Sequence, residues 1–245
     1  MIRRNCIVAA CLLLASIAFA SSKPADKNGT VIDEGAFGIF QNGQRYATET
    51  FVVRQYPGSS VTSAQLRSEK IVNTDIAQSS ELTLHPDGTL QRYEWKQTVP
   101  PHNSATVEVK DQFLSMHYVA DGKTVDRPFF LMPDVFVLDD YFFIAREILL
   151  WRYMTSSCKP RPGSDSCDLE RARFAVLIPR RQISDQVFVE MKGYDDMPFN
   201  GRPQHLRHFV IEADGNEWHL WLDSNMKLLR ISIPSNNTEI LRQER

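Results

Sequence analysis

Apolar and polar residues alternate along most of this chain. Asn-Gly or Asp-Gly pairs interrupt the alternation at Asn42-Gly43, Asp87-Gly88, Asp121-Gly122 and Asp214-Gly215. Successive side chains of a strand point to opposite faces, so a period of two marks strands with one face buried. A tight hairpin turn needs positive φ, which Asn, Asp and Gly tolerate, so each pair marks a β-hairpin. The pattern predicts strands over about 36–41, 44–55, 61–71, 80–85, 89–97, 105–110, 113–120 and 123–130. A second series is predicted over about 172–179, 185–193, 205–213, 216–223 and 227–233, with a loop at 195–201. The fold class that follows is mainly β, an antiparallel meander.

One segment keeps a different period. In 139–154, Tyr141, Ile144, Ala145, Ile148 and Leu149 fall on one helical stripe. Asp139 is placed to cap the first turn, and Asp140 to sit at its positive end. Arg146, Glu147 and Arg152 occupy much of the remaining surface, but Phe142, Phe143 and Leu150 also lie off the stripe. A helix this apolar does not lie loosely on a surface. It is expected to pack on one face of the sheet, and also to line or plug an apolar groove there.

The last hairpins allow a register to be written. A two-residue turn at Asp214-Gly215 pairs Ala213 with Asn216, Ile211 with Trp218, Val210 with His219, Phe209 with Leu220 and His208 with Trp221. Phe209, Ile211, Trp218, Leu220 and Leu222 then share an apolar face. A second turn at Ser224-Asn225 pairs Leu220 with Leu229 and Trp218 with Ile231, adding Leu229, Ile231 and Ile233 to it. The opposite, mixed face carries His208, Val210, Glu212, Glu217, His219, Trp221, Leu228 and Arg230. His205 and His208 are three residues apart, an odd offset that puts their rings on opposite faces of a strand.

The N-terminus changes the cellular setting. Arg3 and Arg4 precede an apolar run from Ile7 to Phe19, and Ala18-Phe19-Ala20 supplies small residues at a cleavage site. Residues 1–20 therefore read as a secretory signal peptide, 21–35 as a flexible lead-in, and 36–245 as a single antiparallel β domain. Val8-Ala9-Ala10-Cys11 also looks like a lipoprotein cleavage box, but leaves only about five apolar residues before the cut, short of the usual 7–15. No other stretch is long and apolar enough for a transmembrane helix. The chain is expected in the periplasm or outside the cell. After cleavage 26 basic residues face 30 acidic ones, a net charge of −4, which speaks against nucleic acid as a partner. Cys158 and Cys167 remain of the four cysteines, and in an exported chain their default state is a disulfide across the Pro/Gly-containing loop between them.

Catalytic signatures are missing from the sequence. There is no Gly-x-Ser-x-Gly elbow, His-Glu-x-x-His or phosphate-binding loop. Asp139-Asp140 and Asp195-Asp196 are acidic pairs without a sign of differing environments. His208 and His219 are diagonal neighbours, a pair with no evident third ligand or nucleophile, so no catalytic residue, metal site or cofactor is assigned.

Phe37-Gly38-Ile39-Phe40-Gln41-Asn42-Gly43, Phe129-Phe130-Leu131-Met132-Pro133 and Trp221-Leu222-Asp223 with Leu228-Leu229-Arg230-Ile231 look like segments of bacterial exported proteins of unassigned function. Those are similar in plan to the periplasmic lipoprotein-carrier (LolA/LolB-like) superfamily. The resemblance implies a strongly curved sheet, an open or half barrel, with helical material on its concave side and a cavity for acyl chains. It carries no catalytic residues, and the single strong helix here departs from the several helices of those carriers. The expected function is an exported, non-catalytic binding or carrier protein for a lipid-like or other apolar ligand, such as a lipid or a lipoprotein acyl chain. Tyr141, Ile144, Ile148 and Trp151 of the helix and His208, His219, Trp221 and Arg230 of the mixed face are its candidate ligand-binding residues. The alternatives are a structural module bound to an envelope protein, and a hydrolase-like enzyme using His208 and His219.

Overall fold

The computed structural model describes residues 29–69, 75–99, 102–130, 132, 135–160, 167–213 and 215–243. The expected signal peptide and most of the lead-in lie outside them, as do Cys6, Cys11 and Asp214. The N-terminal strands are β1 (Thr30–Gln41), β2 (Gln44–Tyr56), β3 (Ser59–Ser68), β4 (Ala77–Leu84), β5 (Leu90–Val99), β6 (Asn103–Lys110), β7 (Phe113–Ala120) and β8 (Lys123–Phe130). The short β9 (Phe136–Val137) precedes helix α1 (Ile144–Ser157), followed by a small hairpin of β10 (Cys158–Pro160) and β11 (Cys167–Leu169). The C-terminal series is β12 (Ala172–Ile178), β13 (Ile183–Phe199), β14 (Arg202–Ala213), β15 (Asn216–Leu222), β16 (Leu228–Ile233) and β17 (Thr238–Arg242).

Fifteen of these strands form one curved, unclosed sheet in the order β8-β7-β6-β5-β4-β3-β2-β1-β17-β16-β15-β14-β13-β12-β9. Each half of the chain is a meander. The halves join where the first and last strands pair antiparallel, from Phe37 opposite Arg242 to Gln41 opposite Thr238. The first and last described strands are thus in mid-sheet, and the two edges, β8 and β9, are close neighbours in sequence. Register shifts within β1–β2, β4–β5, β13–β14 and β15–β16 bend the strands, and bulges of this kind let a wide sheet curl. Among the described residues only the two-residue pairing of β9 with β12 is parallel.

The hairpin chemistry expected from the sequence is present. Asn42-Gly43 and Asp121-Gly122 have positive φ at both positions, the signature of the turn whose twist matches its strands. Asn200-Gly201 does the same, and this corrects the expected loop at 195–201: β13 runs on to Phe199 and pairs with β14 down to Arg202. Other boundaries also move. β1 starts at Thr30, inside the expected lead-in, and β17 adds a strand beyond the last predicted one at 227–233.

The β14–β15 register is the one derived from Asp214-Gly215, from Ala213 opposite Asn216 through His208 opposite Trp221. The next hairpin differs. Asp223 Oδ1 accepts the N–H groups of Asn225 and Lys227, both at 2.8 Å, and holds a wider loop than two residues. Leu220 therefore pairs with Ile231 rather than Leu229. A bulge at Trp221/Leu222 leaves Leu228 in the main core and turns Leu229 to the other face, against Leu206 and Trp221.

Helix α1 lies against the concave side, with Ile144, Leu149, Leu150 and Tyr153 buried in the same core as the sheet. It begins at Ile144, not at 139–141, because Asp139 does not cap it. Asp139 accepts instead from the Tyr93 hydroxyl (2.7 Å), from Arg180 Nε (2.8 Å) and from the Tyr141 N–H (3.0 Å). The cap comes from across the barrel: Glu49 of β2 accepts the N–H groups of Phe143 (2.7 Å) and Ile144 (3.1 Å). Arg146 and Glu147, placed by the sequence on a polar surface of the helix, are 2 % and 0 % exposed. Among the described residues no helix is long and apolar enough to cross a membrane.

Candidate functional site

The interior holds an unusual density of charge for an apolar core. On one side of α1, Glu147 Oε2 accepts the N–H of Leu228 at 2.7 Å and faces Arg242 Nη1 at 3.3 Å. Arg242 Nη2 reaches Asp33 of β1 at 2.6 Å, and Lys227 Nζ lies 3.0 Å from the same carboxylate. Burial holds the Glu147 carboxyl well above its usual range, and the Asp33 charge beside it adds to the rise. Burial would raise Asp33 too, but hydrogen bonds from Glu147 and Arg242 outweigh it and leave Asp33 lowered. The two neighbouring carboxyls are thus pushed in opposite directions, Glu147 toward its protonated form and Asp33 toward its charged one. Together these groups tie β1, α1, the start of β16 and β17 at the point where the halves of the sheet meet.

On the other side, the Arg146 guanidinium stacks over Trp218 at 4.6 Å and Phe143 at 5.3 Å. Its Nη1 donates to the carbonyls of Asp139 and, at 2.9 Å, Phe142. Its Nε is buried and has no acceptor among the described residues. Burial lowers its pKa to about 10, and the charges of Asp140, Asp139 and Glu49 oppose that fall, so Arg146 stays cationic at neutral pH. Glu49 is pushed up to about 8 by burial, against the pull of its two helix N–H bonds.

Arg146 lines a partly enclosed cavity of about 150 Å³. One part of its wall is apolar, from Leu138, Ile178, Val187, Ile211, Trp218 and Ile233, with Ala213 beside them, and Asn216, Ser235 and Asn236 add neutral polar groups. Asp140, Arg181 and Asp185 supply the other charged groups. Arg181 holds Asp140 through both carboxylate oxygens, at 2.9 and 2.8 Å. A few polar groups converging on an apolar hollow are what a small-ligand site requires. A wider groove of about 610 Å³ crosses β1–β5, but its ionisable lining residues, Glu81, Glu94 and Lys96, are all at least partly exposed.

None of the eight expected ligand-binding residues lines the cavity. Ile144 and Ile148 are packed into the core. Trp151 is half-buried and donates its indole N–H to the Met226 carbonyl at 2.8 Å. Tyr141 is 41 % exposed, with Arg180 over its ring at 4.4 Å. His208, His219, Trp221 and Arg230 lie together on the outer face, so the sheet itself separates them from the helix residues. There His208 Nε2 is 3.0 Å from His219 Nδ1, and Asp195 Oδ2 is 3.1 Å from His208 Nδ1 and accepts the Trp221 indole N–H at 2.8 Å. Asp195 is a third group that the sequence did not place, because its segment read as a loop. Trp221 is 8 % exposed, covered by the His208 ring at 4.9 Å and by Arg230 at 5.1 Å, so its ring is closed to a stacking ligand. Burial lowers the His208 pKa, with Asp195 opposing. Among the described residues no cluster of three or more His, Cys, Asp or Glu is placed to hold a metal ion.

Arg146 is the site residue that sequence reasoning missed, and the sequence did carry a signal for it. Its helical neighbours three and four residues away are Phe142, Phe143, Leu149 and Leu150, so no polar side chain flanks it along the helix surface.

No protein-family model matches the chain, and no curated protein matches it in sequence. Its fold is similar to a crystal structure described as a beta-barrel-like protein of Domain of Unknown Function DUF1849 from Brucella abortus, with a TM-score of 0.50 at 8 % identity. The similarity covers 87 % of this chain and 97 % of that one. At that identity the likeness is one of fold: a barrel-like architecture. The likeness does not confirm the resemblance to the carrier superfamily.

Proposed function

We propose that this chain is an exported, non-catalytic binding protein of the bacterial envelope whose ligand is small and apolar, bound in the cavity beside α1. The observation that carries the reading is the cavity itself, whose apolar wall is formed by Leu138, Ile178, Val187, Ile211, Trp218 and Ile233 and whose remaining lining is polar or charged. Its size sets the ligand class. About 150 Å³ is the scale of a cavity that takes up benzene, and lies below the roughly 300–1,000 Å³ of pockets for larger ligands. The fit is to a short chain or a single ring, not to a full lipoprotein acyl chain. Export rests on the basic and apolar N-terminus, and a Cys158–Cys167 disulfide accords with it. β10 and β11 pair Pro160 with Cys167 and Cys158 with Leu169, which places the two cysteines diagonally across one hairpin.

The test is a fragment titration followed by NMR, on the wild type and on Ala213→Trp, which fills the cavity. Saturable binding of small apolar fragments by the wild type alone is expected. Equal binding by both proteins would overturn the proposal.

A second reading, a structural module docked on an envelope protein, has its own observation. Edge strand β8 carries Val125 (41 % exposed) and Phe130 (79 % exposed), and an open edge of this kind invites another strand. A photo-crosslinker at Val125 that recovers no envelope protein in the native host would count against it.

A further inference from the structure

We infer that the ligand of this cavity is an amphipathic carboxylate, a short apolar body whose anionic head is held by Arg146. The inference rests on the binding reading above and names its ligand class. Arg146 is fully buried and cationic, yet it forms no ion pair among the described residues. Asp140, Asp139 and Glu49 act on it only through space, and a buried charge without a directly paired counter-ion is costly and is kept where something complements it. Its Nη1 is spent on two backbone carbonyls, while Nε, also buried, has no acceptor among the described residues. The rings of Trp218 and Phe143 fix the guanidinium plane, so the group that lines the cavity is oriented before a ligand arrives.

The carboxylates already present do not fill this role. Asp140 is bound through both oxygens by Arg181, and Asp185 Oδ1 accepts the N–H of Gln186 at 2.7 Å. Their charge at the same cavity disfavours a bare inorganic anion. An anion that brings its own apolar body gains from the walls as well as from Arg146. A carboxylate suits the guanidinium, whose charge-assisted hydrogen bonds are stronger than those of a neutral acceptor.

Matched probes separate this inference from the reading beneath it. Benzoate and benzyl alcohol, and hexanoate and hexan-1-ol, differ chiefly in the charge of the head. Calorimetric titration of the purified chain at pH 7 should show each carboxylate binding at least tenfold tighter than its alcohol. Arg146→Met should erase that preference while alcohol binding survives, Arg146→Lys should keep part of it, and Ala213→Trp should abolish binding of all four. Equal affinity for acid and alcohol in the wild type would overturn the carboxylate inference and leave the apolar cavity standing. No binding of any of the four would overturn both. The wild-type comparison decides the matter even if Arg146→Met does not fold.

Discussion

Arg146 and Glu147 are consecutive residues of one helix, both buried, and their surroundings differ in kind. Glu147 sits in a network that spans strands: its Oε2 accepts the Leu228 N–H and faces the Arg242 guanidinium, which also holds Asp33. Arg146 sits in an open one, with two carbonyls and two aromatic rings on one side and a hollow on the other. The Glu147 network fastens the junction at which β1 and β17 join the two meanders. The Arg146 environment fastens nothing of comparable reach. One charge is explained by the fold and its neighbour is not, and that contrast points to Arg146 as the functional group.

The largest test falls on the Glu147 network. Arg242→Met leaves Asp33 and Glu147 as neighbouring buried carboxyls without their guanidinium. Removing one partner of a buried ion pair typically costs about 3–5 kcal/mol. Urea unfolding should show a loss of that order. Adding Asp33→Asn and Glu147→Gln, which removes the stranded acidity, should recover a good part of it. A loss below about 1 kcal/mol for Arg242→Met would mean that the junction is held by strand pairing alone.

Much of this arrangement was legible in the sequence, and the illegible parts share a cause. The β14–β15 register followed from one Asp-Gly turn, because a two-residue loop leaves no freedom in pairing. The predicted β15–β16 pairing failed because the Asp223 carboxylate organises a longer loop, and a single bulge moved Leu229 to the outer face. The start of α1 was misplaced because Asp139, a good local cap, is claimed by Tyr93 and Arg180 from distant strands, while Glu49 supplies the cap from β2. Half of the expected site was drawn to His208 and His219, whose proximity was correct and whose face was the outer one. Local rules gave the strands and turns. What they missed was set by contacts between residues far apart in the chain.

A pH series is the intermediate test. Glu49 titrates near 8 in the fold and near the ordinary 4.5 when unfolded. Between those values the native state holds a proton that the unfolded chain has released, so stability falls as pH rises across the window. Glu147, also raised, acts in the same direction. Asp33, lowered in the fold, works the other way, and only in acid below the ordinary carboxylate range. Glu49 alone should contribute a loss of up to about 1.4 kcal/mol per pH unit between pH 5 and 8, and Glu49→Gln, which keeps one acceptor for the helix N–H groups, should reduce the measured slope by about that amount. An unchanged slope in Glu49→Gln would place the titrating proton elsewhere, with Glu147 the remaining candidate.

The smallest effect is expected where the two neighbours are compared most directly. Arg146→Met replaces an unpaired cation by an apolar side chain of similar length, among Phe143, Trp218 and the cavity walls. Exchanging buried charge for well-packed apolar groups is often neutral or stabilising. Two carbonyls lose a donor, but that of Phe142 also accepts within the helical turn, so the cost left is about that of one hydrogen bond, about 1 kcal/mol, before the relief of desolvation offsets it. The ligand-free variant should therefore unfold within about 1 kcal/mol of the wild type in urea, far from the loss expected for Arg242→Met. A cost matching that of Arg242→Met would make Arg146 a second fastening of the fold. A near-neutral result, together with loss of carboxylate preference, would mean that the charge is retained for what it binds.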